Sequence, residues 1–312
     1  MTLTQSQVRD IHNLSSGRIL TCVPLGRFTS FGIGGPADLV VEPQNVRGLA
    51  ALVRHLQAER IPSIFLGAGT NVLFREAGFR GVVVRTTSLS GFEVIENGSG
   101  HDLITIAAGV PLPMVIKRTC ELGWTGLEPL WGIPGSFGGA VVTNAGAGDA
   151  CIGPFLRRLT LLNEAGQEIV LEQHQLDHAY RFMRIPQGSV VVEGALQLSR
   201  GDRSSIQAGL DKARSSRHGR QPSDKRSAGC VFKNPSPSNP AGALIERLGF
   251  KAMTVGDAQV SEVHANFIIN RGQATARDVL ELIQRIKARA KAEENIDLEL
   301  EICIIGEEEV DG

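Results

Sequence analysis

Tyrosine is all but missing from this chain of 312 residues: Tyr180 stands alone, with two tryptophans and an aromatic content of 5%. So few stacking rings, with a net charge of −1 and a pI near 6.7, leave neither a base-stacking platform nor a basic field for nucleic acid or an acidic membrane. Cysteine is sparse too. Cys22, Cys120, Cys151, Cys230 and Cys303 are odd in number, widely spaced and contain no CxxC pair, which fits neither a disulfide framework nor a zinc site and predicts a reducing, cytoplasmic setting. No window approaches the ~20 apolar residues of a membrane span, and the opening MTLTQSQVRDIHN lacks a signal-like apolar stretch. The expectation is a soluble protein with no membrane, nucleic-acid or obligate protein partner.

Glycine, by contrast, is abundant at 36 residues, gathered in GIGGPA (32–37), GAGTN (67–71) and GIPGSFGGAVVTNAGAG (132–148). Short apolar segments between them, DLVVEP, SIFLGAG, GVVVRT and LITIAAG, predict strands. Apolar residues three and four apart predict helices over 46–60 and 111–123. From about residue 200 the chain turns polar and basic, GDRSSIQAGLDKARSSRHGRQPSDKR, which reads as a solvated helix, a linker and a boundary. Beyond it AGALIERLGF predicts a short helix, HANFIIN a strand, TARDVLELIQRIKARAKAEEN a long amphipathic helix and LELEICIIG a final strand. The chain is long for one core. It divides into a mixed α+β region, 1–200, with parts at about 1–85 and 86–200, and a C-terminal α+β unit, 201–312.

GAGTN follows the strand-like SIFL and invites a dinucleotide reading, but position 72 is valine, and a turn and strand follow where that fingerprint needs a glycine and a helix. Glycine-rich turns still form nests of backbone N–H groups that bind phosphate. Thr70 and Asn71 add donors to one loop, Ser136 and Asn144 polar handles to the other. Singly, each stretch is a tight structural turn. Flanking a run of strands together, they point to an extended phosphate-bearing cofactor.

FTSFGIGGPADLVVEP, LGAGTNVLFREAGFRGVVV, GLEPLWGIPGSFGGAVVTNAGA, SAGCVFKNP, AGALIERLGF, AQVSEVHANFIIN and LELEICIIGE stand in this order between Thr29 and Glu307. The series resembles the motifs of the UDP-N-acetylenolpyruvoylglucosamine reductase family, in its shorter class without the tyrosine-bearing loop. The resemblance implies a vanillyl-alcohol-oxidase-type FAD-binding region of two α+β subdomains plus a C-terminal α+β substrate domain. It also implies non-covalent FAD held by Gly67, Ala68, Gly69, Thr70 and Asn71 and by Gly132, Ile133, Pro134, Gly135, Ser136, Gly138, Gly139, Ala140, Asn144 and Gly146. NADPH is then the hydride donor, and UDP-N-acetylenolpyruvoylglucosamine the substrate, reduced to UDP-N-acetylmuramate for peptidoglycan.

Adding hydride to the enolpyruvyl carbon remote from the carboxylate leaves charge to be stabilised, a carboxylate to be clamped and a carbon to be protonated. By the same resemblance Arg181, in AYRFMR, contacts the carboxylate, although Met183 departs from the family's YRxS and Arg184 competes for the role. Glu301 matches the family's second glutamate, a role that suits a carboxyl kept protonated by burial. Cys230 stands where the family usually has serine as proton donor, and a thiol with an ordinary pKa of about 8.5 gives up a proton more readily than a hydroxyl. Read without that context, Cys230 is a buried thiol, Arg181 a surface arginine and Glu301 a solvated strand edge. Tyr180, Lys233, Asn234, Gln259 and Asn266 are the candidate substrate contacts. His264 reads equally as a satisfied core histidine, with no second metal ligand at helical or hairpin spacing. Two competing functions remain: a flavin oxidase of the same superfamily, and a nucleotide-sugar binder whose chemistry lapsed with the cysteine.

Overall fold

The computed structural model describes residues 3–95, 102–217, 219–222 and 225–307. Its contacts divide the chain into two units, each discontinuous in sequence: Met1–Thr21, Leu39–Ala68 and Gly81–Arg217 form one; Cys22–Asp38, Gly69–Arg80 and His218–Gly312 form the other. The polar helix Arg203–Arg217 thus belongs with the first unit.

The first unit is built largely on two sheets. One orders its strands Arg18–Pro24, Pro36–Glu42, Phe79–Arg85 and Ser63–Leu66, the last two parallel. Helix Val46–Ala58 begins where Asn45 accepts a hydrogen bond from the Gly48 amide at 2.9 Å. It buries Leu49, Leu52, Val53 and Leu56, the helical stripe read from the sequence, in a core with Leu39, Val41, Val82 and Val84. The other sheet is antiparallel, ordered Glu168–Glu172, Leu156–Leu162, Val190–Gln197, Leu103–Ala107 and Phe92–Ile95. Helix Leu112–Glu121 buries Val115, Ile116 and Cys120 in the core that covers it.

The second unit packs helices Ala241–Arg247 and Ala276–Glu294 and a three-stranded antiparallel sheet, Thr254–Val255, Ala258–Val260 and Ile268–Asn270, around one core. A reciprocal capping box starts the long helix: Thr275 Oγ1 accepts from the Asp278 amide at 3.1 Å, and the Thr275 amide donates to the Asp278 carboxylate at 2.9 Å. Phe31, Ile33 and Leu73, from the amino-terminal third, lie in this core with Val231, Phe232, Ile283 and Ile302. Strand Val72–Phe74 pairs in parallel with Cys303–Ile305.

Three local expectations are corrected. LELEICIIG is regular strand only at Cys303–Ile305; Glu301 and Ile302 are bends because Leu300 bridges a different segment, at Phe232. HANFIIN is strand only from Ile268, since Phe267 N closes a turn onto His264 O at 3.0 Å. Inside GIPGSFGGAVVTNAGAG the glycines do not prevent a helix, Phe137–Val142, capped by Ser136. A Cβ on Gly138 would sit 2.7 Å from the Ala108 Cβ, so packing against the neighbouring strand end requires glycine inside that helix.

Candidate active site

Cys230 lies in an extended segment with chain on both sides. On one side it bridges Phe267, and the Val231 amide donates to Asn266 O at 2.8 Å. On the other, Phe232 bridges Leu300, the Glu301 amide donates to Val231 O at 2.8 Å and the Lys233 amide to Glu299 O at 2.9 Å. The backbones carrying Cys230 and Glu301 are therefore hydrogen-bonded neighbours. Both side chains are half-buried, so the thiol is not sealed in hydrocarbon. Gly229, at φ +78°, has nothing beyond its chain neighbours within 4 Å of the position a Cβ would take.

Asn266 holds this arrangement together. Its amide is 2% exposed; Oδ1 accepts from the Phe232 amide at 2.9 Å and Nδ2 donates to the Phe232 carbonyl at 2.8 Å. The backbone one residue past Val231 is thus clipped through both of its polar groups. Asn234 Oδ1 accepts from the Ala241 amide at 3.0 Å and so starts helix Ala241–Arg247. Lys233 pairs with Glu299 at 3.3 Å, and the glutamate is 75% exposed, so the pair is worth at most about 1 kcal/mol. Gln259 Nε2 donates to Ala252 O at 3.3 Å.

The amino-terminal segments of the second unit brace the same cluster. Asn71 Nδ2 donates to Glu301 O at 3.0 Å, and Asn71 O accepts from the Cys303 amide at 3.0 Å. Gly69 O accepts from the Ser30 amide at 3.0 Å, while Ser30 Oγ donates to Ser227 O at 2.6 Å. At Gly69 (φ +68°) a Cβ would lie 2.0 Å from Phe28 O, so only glycine fits. Sequence reasoning passed over Ser30 and Asn270, whose Nδ2 donates to Phe31 O at 3.0 Å. Their partners lie roughly 200 residues away, beyond any local signal.

In the first unit the glycine loops meet at Gly67, where a Cβ would fall 2.3 Å from Ser136 Oγ. Ser136 caps its helix through the Gly139 amide at 3.4 Å, Gly135 O accepts from the Leu112 amide at 2.9 Å, and Ile133 N closes a turn on Leu130 O at 3.1 Å. Gly132 and Gly139 are exposed; Ala68 and Gly146 are half-buried, as is Thr70 of the second unit; Ala140 is buried. Bare main chain at Gly67 facing the Ser136 hydroxyl suits a cofactor cradled by backbone and a few small polar groups. Asn144 differs: 2% exposed, it gives Nδ2 to Ala179 O at 2.8 Å and accepts from the Gly153 amide at 2.9 Å.

Ala179 begins a tight hairpin, His178–Ala179 against Phe182–Met183, whose two-residue loop is Tyr180–Arg181. Arg181 adopts φ +56° there, an unusual state for a residue with a side chain, and its guanidinium lies 5.3 Å from the Tyr180 ring centroid. Tyr180 is 52% exposed. Arg184 pairs with Asp177 at 2.7 Å and donates its amide to Asp177 O at 2.8 Å, which commits it to closing the hairpin base. That separates the two arginines.

Burial lowers the His264 pKa. Its neutral Nδ1 accepts from the Asn266 amide at 3.2 Å, and its ring meets Phe267 edge-on at 5.1 Å. Burial pushes the Cys120 thiol up to about 11, as befits an inert core thiol. Among the described residues, no three His, Cys, Asp or Glu side chains gather as a metal site, and no helix is long and apolar enough to cross a membrane.

Residues 37–172 match the family model described as FAD binding domain. With its glycine cradle and α+β architecture, the protein is a flavoprotein with an FAD-binding domain. Residues 221–305 match the model described as UDP-N-acetylenolpyruvoylglucosamine reductase, C-terminal domain. Two proteins of that name resemble the chain: that of Syntrophus aciditrophicus is 41% identical over 94% of this chain and 94% of its own, and that of Moorella thermoacetica 39% over 93% and 94%. The crystal structure of the Thermus caldophilus reductase superposes with a TM-score of 0.80 at 32% identity, covering 93% of this chain and all of that one. The chain belongs to the UDP-N-acetylenolpyruvoylglucosamine reductase family.

Proposed function

We propose that this protein reduces the enolpyruvyl ether of UDP-N-acetylenolpyruvoylglucosamine to the lactyl ether of UDP-N-acetylmuramate, in the cytoplasm, as a step toward peptidoglycan. NADPH and one proton are consumed; a hydride and a proton add across the carbon–carbon double bond, and NADP⁺ leaves. Bound FAD supplies the relay of hydride from NADPH to substrate. The observation that carries the reading is the Cys230 segment, clipped between Asn266 and Glu301 in a chain of this family.

In this reading the Cys230 sulfhydryl delivers its proton to the carbon bearing the carboxylate. Glu301, on the adjoining backbone, stabilises the developing enolate as a protonated hydrogen-bond donor. Arg181 clamps the carboxylate with its planar fork from the tip of a two-residue loop. Tyr180, Lys233 and Gln259 contact the sugar nucleotide. Asn266 and Asn234 serve by holding backbone, since the amides of both reach main-chain groups. Gly67, Ala68 and the 132–140 loop, all of the first unit, hold FAD.

The test is anaerobic. NADPH should bleach the yellow protein, and the enolpyruvyl substrate should restore the colour. Cys230→Ala should leave bleaching intact and slow recolouring by about 10²–10⁴-fold, the usual worth of a general acid, while Cys230→Ser keeps substantial turnover. Recolouring at the normal rate in the alanine variant would remove the thiol from the mechanism.

A further inference from the structure

The glycine-rich setting of Asn144 suggests a cofactor contact, yet its amide is spent elsewhere. The side chain is 2% exposed, its Nδ2 donates to Ala179 O at 2.8 Å and its Oδ1 accepts from the Gly153 amide at 2.9 Å. The backbone takes φ +43°, left-handed at the carboxyl end of helix Phe137–Val142, a conformation asparagine tolerates better than most residues. Gly153 is fitted just as closely: a Cβ there would lie 2.7 Å from the His178 ring and 2.9 Å from the Asn144 oxygen. His178 and Ala179 are one strand of the hairpin whose tip is Tyr180–Arg181. That hairpin has two residues per strand and too few pairs to hold its own tip.

We propose that Asn144 is a positioning residue for Arg181, fixing the arginine loop against the glycine-rich segment so that its guanidinium is set for the substrate carboxylate. The proposal rests on the role given to Arg181 above. It accounts for a buried amide that uses both ends on main chain immediately beside a strained two-residue turn. The hydrogen bond to Ala179 O sits one residue before the loop, so its loss frees the tip while the Gly153 contact remains.

Asn144→Asp isolates that bond, because the carboxylate keeps an acceptor for Gly153 but has no hydrogen for Ala179 O. Asn144→Gly keeps the left-handed backbone and removes both hydrogen bonds, and carries the comparison of the two ligands should the aspartate variant not fold. The measurement is calorimetric binding to the flavin-loaded protein of two ligands: UDP-N-acetylmuramate, which bears the carboxylate, and UDP-N-acetylglucosamine, which does not. Asn144→Asp should weaken the first about tenfold, leave the second and the FAD content unchanged, and lower kcat/KM for the enolpyruvyl substrate about a hundredfold. In an Arg181→Ala background the same change should cost almost nothing further. Loss of FAD, equal weakening of both ligands, or full additivity with Arg181→Ala would overturn the proposal. If Arg181→Ala itself fails to distinguish the ligands, the role given to Arg181 is what falls.

Discussion

Replacing Asn266 by alanine removes both hydrogen bonds to Phe232, at 2.9 and 2.8 Å, in a place where Phe232 is 1% exposed and water has little access. A buried peptide group left without a partner costs about 1–3 kcal/mol, so two cost roughly 2–6 kcal/mol, and the small void left by the amide adds to that. The segment released is the one that carries Cys230, whose neighbour Val231 is held by its amide on Asn266 O and by its carbonyl on the Glu301 amide. The assay is urea unfolding of the flavin-loaded protein followed by far-UV circular dichroism, with recolouring kinetics measured below the transition. The expected result is a midpoint lowered by the equivalent of at least 2 kcal/mol at unchanged slope, with a fall in kcat larger than any rise in KM. An unmoved midpoint together with a raised KM would show that the amide binds substrate instead, and would refute the backbone-clip argument.

Two further predictions follow from local geometry. His264 has a folded pKa below its unfolded value of about 6.5 because burial disfavours the imidazolium, so below pH 6.5 the unfolded chain binds the extra proton. Its contribution is complete above pH 6.5 and is lost as pH falls toward the folded value; His264→Gln should flatten the decline in unfolding midpoint between pH 7.5 and 5, and an unaltered decline would refute the assignment. Gly67→Ala places a Cβ 2.3 Å from Ser136 Oγ and should lower the FAD-to-protein ratio measured by absorbance after gel filtration; full retention would move the cofactor away from this loop.

The strongest local signals in the sequence were those that need only near neighbours. The apolar stripe of Val46–Ala58 and the glycine turns are each read within a few residues, and each forms because its hydrogen bonds and buried face are local. The motif order was legible too, and with it the thiol at Cys230 and the FAD region. What only the tertiary structure decided is where the polar side chains point. Asn266, Asn144 and Asn234 sit in motif positions as plausible ligand contacts, yet each turns its amide to main chain brought alongside by folding. It decided, too, that Phe31, Gly69 and Leu73 share a unit with residues beyond 218, because parallel pairing of Val72–Phe74 with Cys303–Ile305 joins chain ends that no local pattern relates. An amide has two equally good uses, and only the identity of its nearest partner in three dimensions selects between them.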